Sequence, residues 1–516
     1  MTKSGLGGTL GQRGTKLVMV ALVLGQFLVL LDSTVMSVAL PQIQGQFSIG
    51  LAPLQWAVVA YLVAFAAIAV PIGALGDQLG RRTVYLFGCC CFVVGSAVCA
   101  IAPGISVLIL GRVFQGVGGG TMGTLAIAIL VSSFSADQTP RVIGIWTAAS
   151  AGAMALGPLV GGILVTTLGW RSVFGINVVL MLLVIPMVLR LVPKSPPLNH
   201  TAEKIDWLST ALLTVALVLI AGGISLLGTA PVTDLTVLGP ITTGVLVVVV
   251  FVFQQRRAVQ PLTHWPTIIK APIPAGLAVL VLLNMVLAGV FMQQMLLLQN
   301  VLGWSPLLAG LVTMGASGAV VIFSPISARI LERLGLGMTV GLGQVITALG
   351  VWGLSLTGVG TSAAQVAVAF ALMGIGLGIS IPSMTSGVMM VPRQEQLGAV
   401  SGFVALVQAM AAVLGLTLLN ALAAFLTAST WNSTAQEVSG AEALIPLVIA
   451  GDAPAVSVAA GQRAGELAGL AYTHGVSGCL TLCAALLLMM ALASPWLFGS
   501  TGRITDVEPA KDTVTS

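Results

Sequence analysis

Two charges in this sequence stand where charge is costly. Of fifteen acidic residues only Asp32 lies in the middle of a long apolar run, and of twenty basic residues only Arg112 does. In hydrocarbon such groups are kept for function, and they pair with one another or with backbone carbonyls. Desolvation and a neighbouring guanidinium act on a carboxylic acid in opposite senses, so a pair of this kind can be set to load and release a proton. A second polar group lies where two apolar runs meet: Asp77, Arg81 and Arg82, spaced by Gly73 and Gly80. There an acid can hold a partner in one conformation and lose it in another, and the glycines permit tight backbone passage. The two arginines also anchor topology.

The elements that position these groups follow from composition. With 57% hydrophobic residues, 7% charged residues and a mean hydropathy of +1.08, the chain has more apolar surface than a soluble core of this length can hide. It reads as a polytopic membrane protein. A span needs roughly 20 apolar residues, and fourteen candidates occur, at 17–40, 54–75, 83–102, 105–131, 142–166, 173–192, 207–228, 237–254, 272–299, 305–328, 338–357, 361–390, 398–426 and 469–494. The runs are too long for barrel strands and lack strict alternation, so an all-α fold is expected, each backbone satisfied within its own segment.

Lys and Arg set the orientation. With a cytoplasmic N-terminus, seventeen of the twenty basic residues fall inside and only Arg171 and Arg463 fall outside, which places both termini in the cytoplasm. The net charge of +5 therefore reports topology and implies no nucleic-acid partner. The first run carries Asp32 and no small-residue cleavage site clearly follows it, so it reads as a retained helix. All six cysteines lie in apolar runs, and neither a disulfide nor a metal site is expected. No GxxxxGK[ST] motif and no sizeable soluble segment occurs, so ATP-driven transport by this chain alone is not expected, no cofactor is expected, and an ion gradient is the expected energy source.

An internal echo divides the chain. Gly73 to Arg82 after the second run, and Ala328 to Gly335 after the tenth, share an acid, a Leu and a Gly at matching offsets. Six spans on each side of an inserted pair would give a transporter of two related bundles. The expected divisions are an N-terminal six-helix bundle (1–193), a linker and two inserted helices (194–270), and a C-terminal bundle (271–494) with an outside loop at about 427–468. A polar cytoplasmic tail (495–516) completes the chain.

With these residues in view, the chain resembles the major facilitator superfamily, and within it the fourteen-span drug:proton antiporter family. Leu31 to Pro41, reading LDSTVMSVALP, is similar to that branch's first-span signature, and Gly73 to Arg82 to the superfamily loop between spans two and three. Arg112 to Gly118 resembles the fourth-span motif. Gly144, with Gly157, Pro158, Gly161 and Gly162, resembles the antiporter motif of the fifth span. Gln78 stands where the loop motif usually has Arg, and Ala153 where the antiporter motif usually has a second Gly. The resemblance implies two six-helix bundles plus two inserted helices, and a multidrug efflux transporter that is not an enzyme. It further implies proton coupling at Asp32 and Arg112, a gating loop of Gly73, Asp77, Gly80, Arg81 and Arg82, and a proline bend at Gly157–Pro158 with small faces on which helices rock.

Residues within spans that are candidates for a substrate cavity are Gln26, Phe27, Trp56, Tyr61, Gln115, Trp146, Asn284, Met285, Phe291, Gln294, Phe403 and Gln408, each of which ordinary helix packing also accounts for. His474 could titrate near the outer end of the last span. The expected function is proton-coupled export of amphipathic drug-like compounds across a bacterial inner membrane, by a monomer whose partners are small molecules, protons and the bilayer. The alternative is translocation of a lipid or cell-envelope precursor.

Overall fold

The computed structural model describes residues 12–69, 71–134, 139–193, 206–227, 233–257, 273–389 and 397–498, and no strand occurs among them. The helices are α1 (Gln12–Phe47), α2 (Leu51–Ala69), α3 (Pro71–Leu79), α4 (Arg81–Ala100), α5 (Ile105–Ser133), α6 (Thr139–Leu168), α7 (Arg171–Leu191), α8 (Trp207–Ser225) and α9 (Leu235–Arg257). They continue as α10 (Ile273–Leu296), α11 (Pro306–Leu334), α12 (Leu336–Ser355), α13 (Ala363–Met389), α14 (Leu397–Thr434), α15 (Ala441–Ile449), α16 (Ala453–Ala460) and α17 (Gln462–Leu497). A π turn, Leu297–Val301, closes α10. Thirteen helices are long and apolar enough to cross a membrane, and α6 adds the apolar stretch Gly152–Leu168 at the place of the remaining span. The protein is an all-helical, multi-pass membrane protein.

Helices α1, α2, α4, α5, α6 and α7 pack together, and so do α10, α11, α12, α13, α14 and α17. The pairings correspond: α2 lies on α5 as α11 lies on α13, α4 on α5 as α12 on α13, α1 on α6 as α10 on α14, and α4 on α7 as α12 on α17. The register corresponds too. The offset that takes α4 (Arg81–Ala100) onto α12 (Leu336–Ser355) also takes Leu51, the start of α2, to Pro306, the start of α11. Gly80 and Gly335 are paired by it, and both adopt positive φ (90° and 75°) at the turn into the next helix, a conformation that strains any residue with a Cβ.

Two seams join the sets, α6 against α11 and α2 against α14. At the first, the Pro158 carbonyl fills the place where a Cβ on Gly310 would stand, and Gly162 lies against Pro306 and Leu307. On the other side of α6, Gly157 and Gly161 lie against Thr34 and Val35 of α1. Helix α6 continues through Pro158, the place of the expected proline bend, with α1 and α11 packed closely on either side of it. Three hydrogen bonds bridge the sets at the same end: Gln299 Nε2 to the Val38 carbonyl (3.1 Å), Asn300 Nδ2 to Gln44 Oε1 (3.0 Å) and Gln44 Nε2 to the Ala450 carbonyl (2.9 Å).

The segment expected as an outside loop at 427–468 is mostly helical. Helix α14 extends to Thr434, α15 and α16 follow, and α17 begins at Gln462. Its alanines and aliphatic residues bury Trp431, Leu444, Val448 and Val456 in a small core of their own, which its polar average composition concealed. The second span likewise differs from expectation: α2 ends at Ala69, Val70 lies outside the described residues, and α3 carries the chain on to Leu79.

The inserted pair α8 and α9 lies beside the second seam, α8 touching both α2 and α14; Leu213 of α8 packs with Ala66 and Leu406 across it. One end of the pair is clamped by Asp206, which caps α8 by accepting from the Ser209 amide (2.9 Å) and also accepts from the Ser209 hydroxyl, Gln254 (3.2 Å) and Gln255 (3.2 Å). Burial pushes this carboxyl up, but those donors outweigh it and hold it below the ordinary carboxylate range. A depressed acid stabilises the fold above its ordinary value and loses that contribution as pH falls through the lower folded value. Asp206→Ala is expected to cost about 1 kcal/mol at pH 7, read as a lower melting temperature in detergent, and the gap from wild type should narrow below about pH 4. Gly310→Leu must push α11 off the Pro158 carbonyl, and is expected to cost about 1–3 kcal/mol by overpacking in the same assay.

Candidate functional site

Asp32 and Arg112, 80 residues apart, meet in the interior of the first set of helices. Arg112 Nη1 donates to Asp32 Oδ2 at 2.6 Å, and both residues are 1% exposed. Helix geometry brings them together. α1 and α5 pack side by side, and each residue lies well inside its helix, Arg112 two turns from the start of α5.

The pair sits in a polar cluster drawn from five helices. Gln115, one turn beyond Arg112, donates from Nε2 to Asp32 Oδ1 (3.1 Å) and to Ser96 Oγ (2.8 Å), and its Oε1 accepts from Arg112 (3.0 Å). Asn177 of α7 donates to Asp32 Oδ1 at 2.6 Å. Arg112 Nε donates to the Ala57 carbonyl of α2 at 2.9 Å, and its guanidinium lies 4.3 Å from the centre of the Tyr61 ring. Asp32 thus accepts from a cation and two amides, and Arg112 spreads its donors over a carboxylate, an amide, a carbonyl and a ring face. This satisfies charge that hydrocarbon would otherwise expel.

Of the expected cavity residues, Tyr61 and Gln115 belong to this centre. Gln26, 7% exposed, has its Oε1 beside Gly123 and without a partner. Phe27 packs on the main core, Trp146 on the core of the first half, and Trp56 against Gly222 of the inserted α8. Phe403 joins the apolar cluster around Leu213, Asn284 bonds back to Leu280 of its own helix (2.8 Å), and Gln408 is half-buried. Phe291 packs on Phe370, and Gln294 is fully buried. These residues do not form one constellation. His474 is exposed on α17.

In the loop group, Arg81 Nη1 donates to the Ala128 carbonyl of α5 (3.2 Å) and Arg82 Nη2 to the Leu189 carbonyl in the last turn of α7, where the helix end favours a cation. Gly73 and Asp77 lie in α3, and Gly144 lies in α6; the side-chain surroundings of Asp77 fall outside the described residues. Ser96 and Asn177 are the site residues that sequence reasoning missed. Asn177 carried a usable signal: an amide in an apolar run, two turns from the start of its helix as Arg112 is from the start of α5.

Comparison with known proteins gives three findings. Residues 22–416 match the Major Facilitator Superfamily. Among curated relatives, the multidrug resistance protein Stp of Mycobacterium tuberculosis is 30% identical over 80% of this chain and 77% of that protein. The drug efflux pump JefA of the same species is 31% identical over 82% and 83%, and the tetracenomycin C resistance and export protein of Streptomyces glaucescens is 28% identical over 89% and 87%. Among solved structures, a bacterial homologue of the human lysosomal transporter Spinster, in an inward-facing and occupied conformation, superposes with a TM-score of 0.66 at 16% identity, over 95% of this chain and 97% of that one. This likeness shows a shared fold.

The cluster makes a stability prediction independent of transport. Arg112→Leu leaves Asp32 buried without its cation and is expected to cost about 3–5 kcal/mol, whereas the double variant Asp32→Leu with Arg112→Leu should recover much of the loss. Thermal unfolding of the single and double variants in detergent measures the coupling; additive losses would show that the two charges act independently.

Proposed function

This chain belongs to the Major Facilitator Superfamily, which makes it a transporter of small molecules and not an enzyme, and we propose that it exports amphipathic drug-like compounds in exchange for protons. The observation that carries this reading is the Asp32–Arg112 centre. The names of its relatives, a multidrug resistance protein, a drug efflux pump and an antibiotic exporter, support export of drugs. In this reading the protein works as a monomer in a bacterial inner membrane with both termini cytoplasmic. The bridged end of the bundle faces outward, and the Gly73–Arg82 loop takes part in the inner gate.

The chemistry follows from the partners of Asp32. Ionised, it only accepts; protonated, one oxygen becomes a donor and needs an acceptor. Asn177 has one available, since its Oδ1 is buried and without a partner while its Nδ2 bonds Asp32. A half-turn of that amide presents the oxygen to the new O–H. Arg112, released from the carboxylate, keeps the Ala57 carbonyl and Gln115 Oε1. The proton state is therefore read by α5 and α7. Asp32 also lies half a turn from Thr34 and nearly a turn from Val35, which pack on the glycine face of α6, and the other side of α6 meets α11. That continuity is the physical route by which a proton on α1 can bias the seam between the two halves.

Reconstituted in proteoliposomes, the wild type should export part of a panel of dyes and antibiotics under an imposed pH gradient and lose this with an uncoupler. Asp32→Asn keeps the shape and cannot exchange a proton, so it should remain folded and lose gradient-driven export; full gradient dependence in that variant would falsify proton coupling at Asp32. Asn177→Leu should lower kcat about tenfold with little change in KM, the loss of one hydrogen bond of about 1.4 kcal/mol to the protonated state. With Asp32 as the one mid-span carboxylate, exchange of one proton for a neutral cargo moves charge and should respond to membrane potential, whereas exchange for a monocation should not.

A further inference from the structure

The internal repeat gives the charged centre a counterpart in the second half. The offset that takes α4 onto α12 takes Asp32 to Leu287, Tyr61 to Ala316, Ser96 to Val351, Arg112 to Ala367 and Gln115 to Phe370. These five polar residues are replaced by apolar ones, while the framework is retained: α10 meets α13 as α1 meets α5. At this corresponding place Phe370, fully buried, packs on Phe291 with ring centroids 5.7 Å apart, and Phe291 remains partly exposed. Phe291, Met295 and Gln299 follow one another at four-residue spacing, and Gln299 donates across to the Val38 carbonyl of the first half.

One turn from Phe291, Gln294 is 0% exposed. Its Nε2 is committed to the Leu354 carbonyl at 3.1 Å, and its Oε1 has no partner. An unpaired buried acceptor costs about 1–3 kcal/mol, a cost that a leucine at the same position would avoid. The feature makes sense if a donor reaches that oxygen during the transport cycle.

We propose that Phe291, Phe370 and Gln294 form a cargo subsite for an uncharged aromatic ring carrying a hydroxyl or N–H. The ring packs on Phe291 and its donor meets Gln294 Oε1. This deepens the export reading and rests on it for the word cargo. The amide's only free group is an acceptor, so the subsite selects donors and rejects their alkylated counterparts. A cation finds no free counter-charge: the one mid-span carboxylate, Asp32, is already matched by Arg112 and two amides, and an unpaired buried charge is strongly disfavoured. The two halves thus divide the work, proton chemistry in the first and recognition of an aromatic cargo in the second.

The test is calorimetric titration of the purified full-length protein in detergent, without any gradient, with 1-naphthol and with 1-methoxynaphthalene. The wild type should bind the phenol about tenfold more tightly than the ether, the worth of one hydrogen bond. Gln294→Leu should bind both equally, with its melting temperature at or above that of the wild type; Gln294→Met serves the same purpose if the leucine variant does not fold. Failure of the wild type to bind the phenol, equal binding of phenol and ether, or a preference that survives in both variants overturns the subsite. Discrimination by a wild type that shows no proton-driven efflux in proteoliposomes would instead overturn the export reading and leave the subsite standing.

Discussion

A buried carboxylate bonded to a buried guanidinium is the constraint on which the first half of this molecule depends. Neither charge is tolerable alone in a low-dielectric interior, and the attraction between them offsets desolvation only when their remaining donors and acceptors are also satisfied. Five helices supply those partners: Asp32 from α1, Ala57 and Tyr61 from α2, Ser96 from α4, Arg112 and Gln115 from α5, and Asn177 from α7. The centre therefore fixes how these helices sit against one another.

Around that centre the structure relies on close backbone approach. Hydrocarbon gives helices no hydrophobic reason to associate, so contact depends on small residues that bring main chains together. The seam between α6 and α11 is the sharpest case, where the Pro158 carbonyl occupies the space that any side chain at Gly310 would need. The same face of the fold is crossed by hydrogen bonds from Gln44, Gln299 and Asn300. Packing of this kind has few intermediate arrangements.

The two halves share one framework and have diverged in what it holds. Helix bounds, packing partners and the turn glycines Gly80 and Gly335 correspond. Asp32, Tyr61, Ser96, Arg112 and Gln115 of the first half are replaced in the second by Leu287, Ala316, Val351, Ala367 and Phe370. Such replacement is possible because backbone hydrogen bonds and glycine contacts maintain the framework, leaving the central side chains free to vary.

Much was legible in the sequence because the membrane imposes a one-dimensional rule: a helix needs a long apolar run, and a charge within one is conspicuous. Length and hydropathy were enough for the all-helical fold and the spans, and their scarcity picked out Asp32 and Arg112. At 427–468, which composition reads as an outside loop, the alanines and the buried Trp431 build short helices. The remaining partners of the charges were not legible. Ser96 and Asn177 are ordinary polar residues along the chain, and of twelve candidate cavity residues only Tyr61 and Gln115 proved to touch the centre, since which face of a helix meets which neighbour depends on packing between helices. The sequence by itself determined that this protein is a bundle of membrane helices with an acid, Asp32, and a base, Arg112, inside long apolar runs; only the tertiary structure decided that they bond, and which amides, carbonyl and ring share them, because those contacts join residues up to 145 positions apart through helix rotation that no local pattern records.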